Sequence, residues 1–167
     1  LLNSGTFWLS ETPNEVSKGW DAVCRRICTW AHLERKSDKT RFYFLSTHLD
    51  HRGKEARIEG GKLVLDWIKK NCKGQTVILV GDFNATPDAP EIKYIVDTLS
   101  TVGGADISSE VAGTFHNFGK FSEESKIKID YIFSSLKSIH AYRVEDTPIN
   151  NQYYSDHHAV CAEVDIK

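Results

Sequence analysis

Four short stretches place acids, amides or imidazoles where apolar strand residues run out. They are His48 in "FYFLSTHLDH", Asp82 and Asn84 in "VILVGDFNATP", Asp130 in "KIDYIFSS", and Asp156 with His157 in "SDHHAV". An aspartate bonded to a histidine fixes the imidazole tautomer and raises its basicity, as a general base requires. Carboxylates beside an amide also suit a hard, oxygen-preferring cation such as Mg²⁺. Each residue has a structural reading as well. Asp82 and Asn84 could cap the loop after a strand, as Asx residues often do. His48 could be a satisfied strand-end histidine, and Asp130 could bond a loop amide.

The elements that must position these groups follow from the apolar pattern. Val77 to Val80 is a β-branched run after the turn-like Lys73-Gly74-Gln75, and it reads as a strand buried on both faces. Residues two apart on an extended chain point the same way, so Asp82 and Asn84 share one side while Phe83 anchors the other. Pro87 ends the strand, and residues 88–91 open a helix with an acid in its first turn. Further strands are predicted at 6–9, 23–34, 41–49, 129–133, 140–146 and 159–166. The polar residues 35–40 make a hairpin of 23–34 and 41–49, with Cys24 and Cys28 on one side. Helical spacing covers 52–71, with Ala56, Leu63, Trp67 and Ile68 inward, and 91–99, with Ile92, Ile95, Val96 and Leu99 inward. The Gly60-Gly61 pair weakens the middle of the first helix. Strands with two interspersed helices predict an α/β or α+β fold with a substantial antiparallel part.

Bulk properties exclude little. The 167 residues suit one domain, 1–167, burying roughly 70% of its unfolded surface. With 21 basic against 23 acidic residues, the formal net charge of −2 advertises no polyanionic partner, and only a local patch would. No apolar run approaches the ~18 residues of a membrane span. The chain has no methionine, so Leu1 is not a translational start and any targeting signal is expected upstream. Cys24, Cys28, Cys72 and Cys161 lack zinc-type pairing.

The motifs "THLDH", "GDFNATP", "KIDYIF" and "SDHHAV", in that order, resemble the endonuclease/exonuclease/phosphatase superfamily, the deoxyribonuclease I-like proteins. "GTFWLSETP" and "RRICTWAHLE" are similar to bacterial members, so the resemblance covers nearly the whole chain. It implies an α/β fold that is part of a four-layer sandwich of two mixed β-sheets flanked by helices. It also implies hydrolysis of phosphodiester or phosphomonoester bonds with Mg²⁺ or Mn²⁺. Asp82 matches the aspartate that orients or activates the attacking water, and Asn84 the amide that holds the phosphate. His157 matches the histidine at the scissile phosphate, Asp130 the acid paired with it, and His48 a second phosphate-side histidine. Asp156 matches a carboxylate near the metal, bound directly or through water. These roles suit in-line attack at phosphorus. His116 in "TFHNF" is a candidate substrate contact. Trp8, Trp20 and Trp30 are read as packing residues, and His51 and His158 as structural ones.

The family pattern normally begins with a strand carrying an asparagine, then a strand ending in a metal-binding glutamate, both before a region resembling "GTFWLSETP". Asn3 has no strand context for the first role. The resemblance therefore implies a carboxyl-terminal portion of a longer enzyme that lacks its N-terminal strands. Association with that N-terminal half, weak metal binding, little turnover alone and exposed apolar sheet surface are the corresponding expectations. The competing expectation is a non-catalytic relative that only binds a phosphorylated partner. Whether the substrate is nucleic acid, a phospholipid head group or a sugar phosphate stays open.

Overall fold

Two sheets and two helices carry the chain; the computed structural model describes residues 1–166 apart from Val102, Lys137 and Asp146. The larger sheet contains β1 (Asn3–Trp8), β2 (Ile27–Glu34), β3 (Arg41–His48), β4 (Thr76–Asp82), β5 (Ala105–Asp106) and β6 (Asp130–Ser134). Their spatial order is β1-β2-β3-β4-β6-β5. β3 and β4 run parallel, and the other pairs are antiparallel. A parallel pair needs a long crossover, which α1 (Lys54–Asn71) supplies. α2 (Pro90–Ser100) opens with its proline in the first turn, where a missing N–H costs nothing. A second sheet pairs β7 (Ser138–Val144) with β8 (Ala159–Val164). Asp146, at the end of the expected 140–146 strand, lies outside the described residues.

The period-two pattern of the strands assigns two faces. Leu45, Leu79 and Phe133 pack with Val64, Leu65, Ile68, Ile92 and Ile95 into one core between the sheet and the helices. Gly60 and Gly61 do not interrupt α1. Both are buried: a Cβ on Gly61 would stand 3.4 Å from Ile95 Cδ1 on α2, and one on Gly60 3.5 Å from Leu9 Cδ1, so the pair lets α1 lie close to α2 and to Leu9. Leu63 and Trp67 are only partly buried, at the margin of the core, where Trp67 meets Trp30 at 4.9 Å between ring centroids.

The opposite face of the large sheet is less covered. β8 approaches β6 there, leaving a gap of about 700 Å³ walled by Phe44, Ile78, Val80 and Ile132 on one side and Ala162 and Val164 on the other. Val80 is therefore half-buried rather than enclosed on both faces, and Phe44 is 37% exposed.

Strand ends differ from the predicted ones: β1 begins at Asn3, which the sequence left without a strand context, and β8 stops at Val164. β2 begins at Ile27, because the backbone N–H groups of Val23 and Cys24 donate to the Asp50 carboxylate instead of a ladder (3.1 and 2.9 Å). Cys24 is thus outside the strand and exposed while Cys28 is fully buried, and all four cysteines are free. Among the described residues, no helix is long and apolar enough to cross a membrane.

Candidate active site

The carboxylates and histidines converge because neighbouring strands end in register. His48 closes β3 opposite Asp82, which closes β4 opposite Asp130, which opens β6. Strand alternation turns all three toward the sheet face away from the helices. The approach of β3 to β4 is tight just before this row. Gly81 has φ +151°, and a Cβ there would lie 1.8 Å from the Thr47 carbonyl oxygen, so only glycine fits. Past Asp82 the chain turns. Asn84 N donates to Asp82 Oδ1 (2.7 Å), and Asn84 takes φ +49°, a conformation its residue type tolerates. Phe83 points the other way and is buried edge-on against Tyr131 and Phe133.

His157 arrives from the loop before β8. Thr114 draws that loop in: its Oγ1 accepts from Ile129 N and Asp130 N (3.1 and 3.2 Å), while its carbonyl accepts from His158 N (2.8 Å). Phe115 pairs with His157 through a backbone bridge and lies 5.0 Å from its ring. His157 Nδ1 donates to Asp130 Oδ2 (2.8 Å), which leaves Nε2 directed at Asp82 Oδ2, 3.9 Å away. His48 Nε2 lies 3.2 Å from the same Asp82 oxygen and its side chain is 56% exposed. The hydrogen bond to Asp130 outweighs partial burial and raises the His157 pKa above the ordinary imidazole value.

A cleft of about 730 Å³ exposes His48, Asp82, Asn84, Asp130, Asp156 and His157 together. Ligand atoms of Asp82, Asp130 and His157 lie within 4.8 Å of one another. Asp156 borders this cleft, yet its carboxylate does not join that group. Its carbonyl instead accepts from His116 N and Asn117 N (2.9 and 3.1 Å). Both amide hydrogens of Asn84 are engaged, by Leu49 O (3.0 Å) and Asp82 Oδ2 (3.2 Å). The Asx-cap reading of Asp82 and Asn84 is thus met by an arrangement that also borders the cleft.

The expectation of a substrate contact at His116 is corrected. Its side chain is 1% exposed, its ring stacks on His158 at 4.2 Å, and its Nδ1 accepts from Gly119 N (2.9 Å). It props the loop behind the cleft. Its two predecessors, Thr114 and Phe115, are the ones that contact Asp130 and His157.

Asp50 is the largest omission from the sequence reading. Only 1% exposed, it accepts four backbone N–H groups, from Val23, Cys24, Arg52 and Gly53. Burial alone would raise its pKa, but these donors hold the carboxylate well below its usual range. Asp50 thereby fixes the two segments flanking the cleft next to His48. Its position two residues after a strand-end histidine was the available signal. A buried aspartate there must be satisfied by something, but the sequence does not say by what.

No family model and no curated protein sequence matches the chain. Solved structures do. An endonuclease/exonuclease/phosphatase from Bacteroides vulgatus superposes over 99% of this chain and 66% of its own, with a TM-score of 0.86 and 33% identity. This chain belongs to the endonuclease/exonuclease/phosphatase family. A mannosyl-6-phosphatase from Bacteroides thetaiotaomicron, another similar structure, has 34% identity and a TM-score of 0.78 over 98% of this chain and 66% of its own. The human Nocturnin catalytic domain, at 19% identity and a TM-score of 0.70 over 99% of this chain and 59% of its own, shares the fold. The chain thus spans just under two thirds of the length of the two Bacteroides family members.

Proposed function

We propose that this chain hydrolyses phosphoester bonds by attack of water at phosphorus, with Asp82, Asn84, Asp130, His157 and His48 as the acting groups. One observation carries the reading: three side chains from two strands and a distant loop form the file Asp130–His157–Asp82, open to a cleft. Asp130 fixes the His157 tautomer so that Nε2 faces the cleft, and it stabilises the imidazolium. Asp82 Oδ2 is placed to orient the attacking water and take its proton. Protonated His157 then offers Nε2–H to the oxygens on which charge develops, with His48 on the opposite side of Asp82. Asn84 can donate to a phosphate oxygen by releasing its long contact to Asp82.

The donor set fits a divalent cation, Mg²⁺ or Mn²⁺. Such ions are held by one or two carboxylates, with waters and substrate phosphate oxygens completing the shell. Asp156 would hold the ion, directly or through water, which leaves Asp82 free to act on the attacking water. When bound, the cation neutralises the phosphate oxygens. The mannosyl-6-phosphatase at 34% identity supports a sugar phosphomonoester as the substrate class.

The test is phosphate release from a panel of sugar phosphates and a simple phosphodiester by the full-length protein. Chelation should abolish turnover and Mg²⁺ restore it, and His157→Ala or Asp82→Ala should each lower kcat/KM by about 10²-fold or more. Turnover that survives both substitutions would overturn the reading. Binding of a phosphorylated ligand without any turnover would instead favour a non-catalytic relative.

A further inference from the structure

The wall of the cleft beside His48 contains two groups that the proposed chemistry does not use, Arg26 and His51. Arg26 stands one residue before β2. Continuing the antiparallel register of Cys28 with Thr47 sets it beside Leu49, just past the end of β3. The order β2-β3-β4 then puts Arg26 two strands from Asp82, about 10 Å at the usual strand spacing. That is too far for its backbone to belong to the same phosphate cradle, but within the span of a small substrate.

Arg26 pairs its charge with Asp50, but the protein uses little of the guanidinium's hydrogen-bonding capacity. Nη2 lies 3.3 Å from His51 Nδ1, and Nε is 3.7 Å from Asp50 Oδ2, beyond hydrogen-bond reach. Asp50 is already committed to its four backbone donors. Arg26 Nε is buried and has no hydrogen-bond partner among the described residues. A guanidinium offers five donors in a planar fork, so most of its capacity is unspent. A cation drawn out of water without full pairing is stabilised by an anion that enters beside it.

We propose that Arg26 is a specificity-determining residue that binds a second anionic group of the substrate, a phosphate or a carboxylate, on the His51 side of the cleft. The inference rests on the phosphoesterase reading of the adjoining Asp82–His157 cluster. Within the sugar phosphomonoesters of that reading, it favours those that carry a second anionic group.

The experiment uses calorimetry on the full-length protein in Mg²⁺ with α,ω-alkane bisphosphonates, each compared with the monophosphonate of equal chain length. At the best-matching length the bisphosphonate should bind about tenfold more tightly, the worth of one charge-assisted hydrogen bond. Arg26→Gln should bring that ratio close to one, and Arg26→Lys should keep part of it. A wild-type protein without preference, or an Arg26→Gln protein that keeps the wild-type ratio, would overturn the proposal. Should Arg26→Gln fail to fold, the wild-type and Arg26→Lys ratios decide. Hydrolysis without any second-anion preference would remove this inference and leave the phosphoesterase reading. Arg26-dependent binding without hydrolysis of any phosphoester would do the reverse.

Discussion

Asp130 matters because, among the described residues, it is the acceptor for the His157 Nδ1 proton. Replacing Asp130 by Asn keeps the shape and removes the charge. The His157 titration midpoint, followed by NMR, should fall from its raised value toward or below that of an ordinary histidine. Turnover of the full-length protein should drop by about 10²-fold, since the imidazolium loses its counter-charge. An unchanged midpoint would show that the pair does not form in solution. Asp50 makes a separate prediction about stability. Its folded pKa is depressed, so its contribution is fully present above the unfolded value near 4 and is lost as pH falls below it. Asp50→Asn turns an acceptor-only group into one that points an NH₂ at backbone donors, and it should cost about 3 kcal/mol in denaturant unfolding. The acid-side loss of stability should shrink in the same variant.

At the scale of elements, the site depends on β3 and β4 lying close enough for His48 and Asp82 to come side by side. Gly81 is where that approach is tightest, with the Thr47 carbonyl occupying the space of a side chain. Gly81→Ala should force the two strands apart at their ends. We expect a loss of roughly 2 kcal/mol or more in unfolding experiments, from strain at a positive φ plus a broken contact. Turnover should fall further than the stability alone explains, because Asp82 is the next residue. Wild-type stability and activity in Gly81→Ala would refute the steric account. The strands, helices and hairpin were legible because period-two and 3.6-residue patterns are local. The start of β2 was not, since it is set by a carboxylate from residue 50 that captures the Val23 and Cys24 amides. In the 114–118 stretch the sequence singled out His116, whereas the contacts with Asp130 and His157 come from Thr114 and Phe115. Whether Thr114, Phe115 or His116 faces inward is decided by contacts with β6 and the 155–158 loop.

The whole molecule presents one sheet face to the helices and leaves the other partly open. Phe44 is 37% exposed on that second face, beside the gap under β7 and β8, and Ile27, near His48, is 38% exposed. Apolar surface of this kind favours association. A protein of these 167 residues should therefore self-associate at micromolar concentration, as measured by light scattering after size exclusion. Phe44→Ser should shift it toward monomer without lowering its melting temperature by more than a few degrees, since the side chain lies outside the helix-side core. A wild-type chain that stays monomeric would show that the open face is tolerated in water.

The order and chemistry of the motifs were written in the sequence, because residue type and strand alternation put His48, Asp82 and Asp130 at strand ends and on one face. Their neighbourhood was not. Asp130 meets His157 across 27 positions, and Arg26 meets Asp50 and His51 across 24 and 25. No local pattern encodes such distances. They arise when the sheet order β2-β3-β4-β6 aligns four strand ends in a row and the Asp50 and Thr114 hydrogen bonds fold two loops over it.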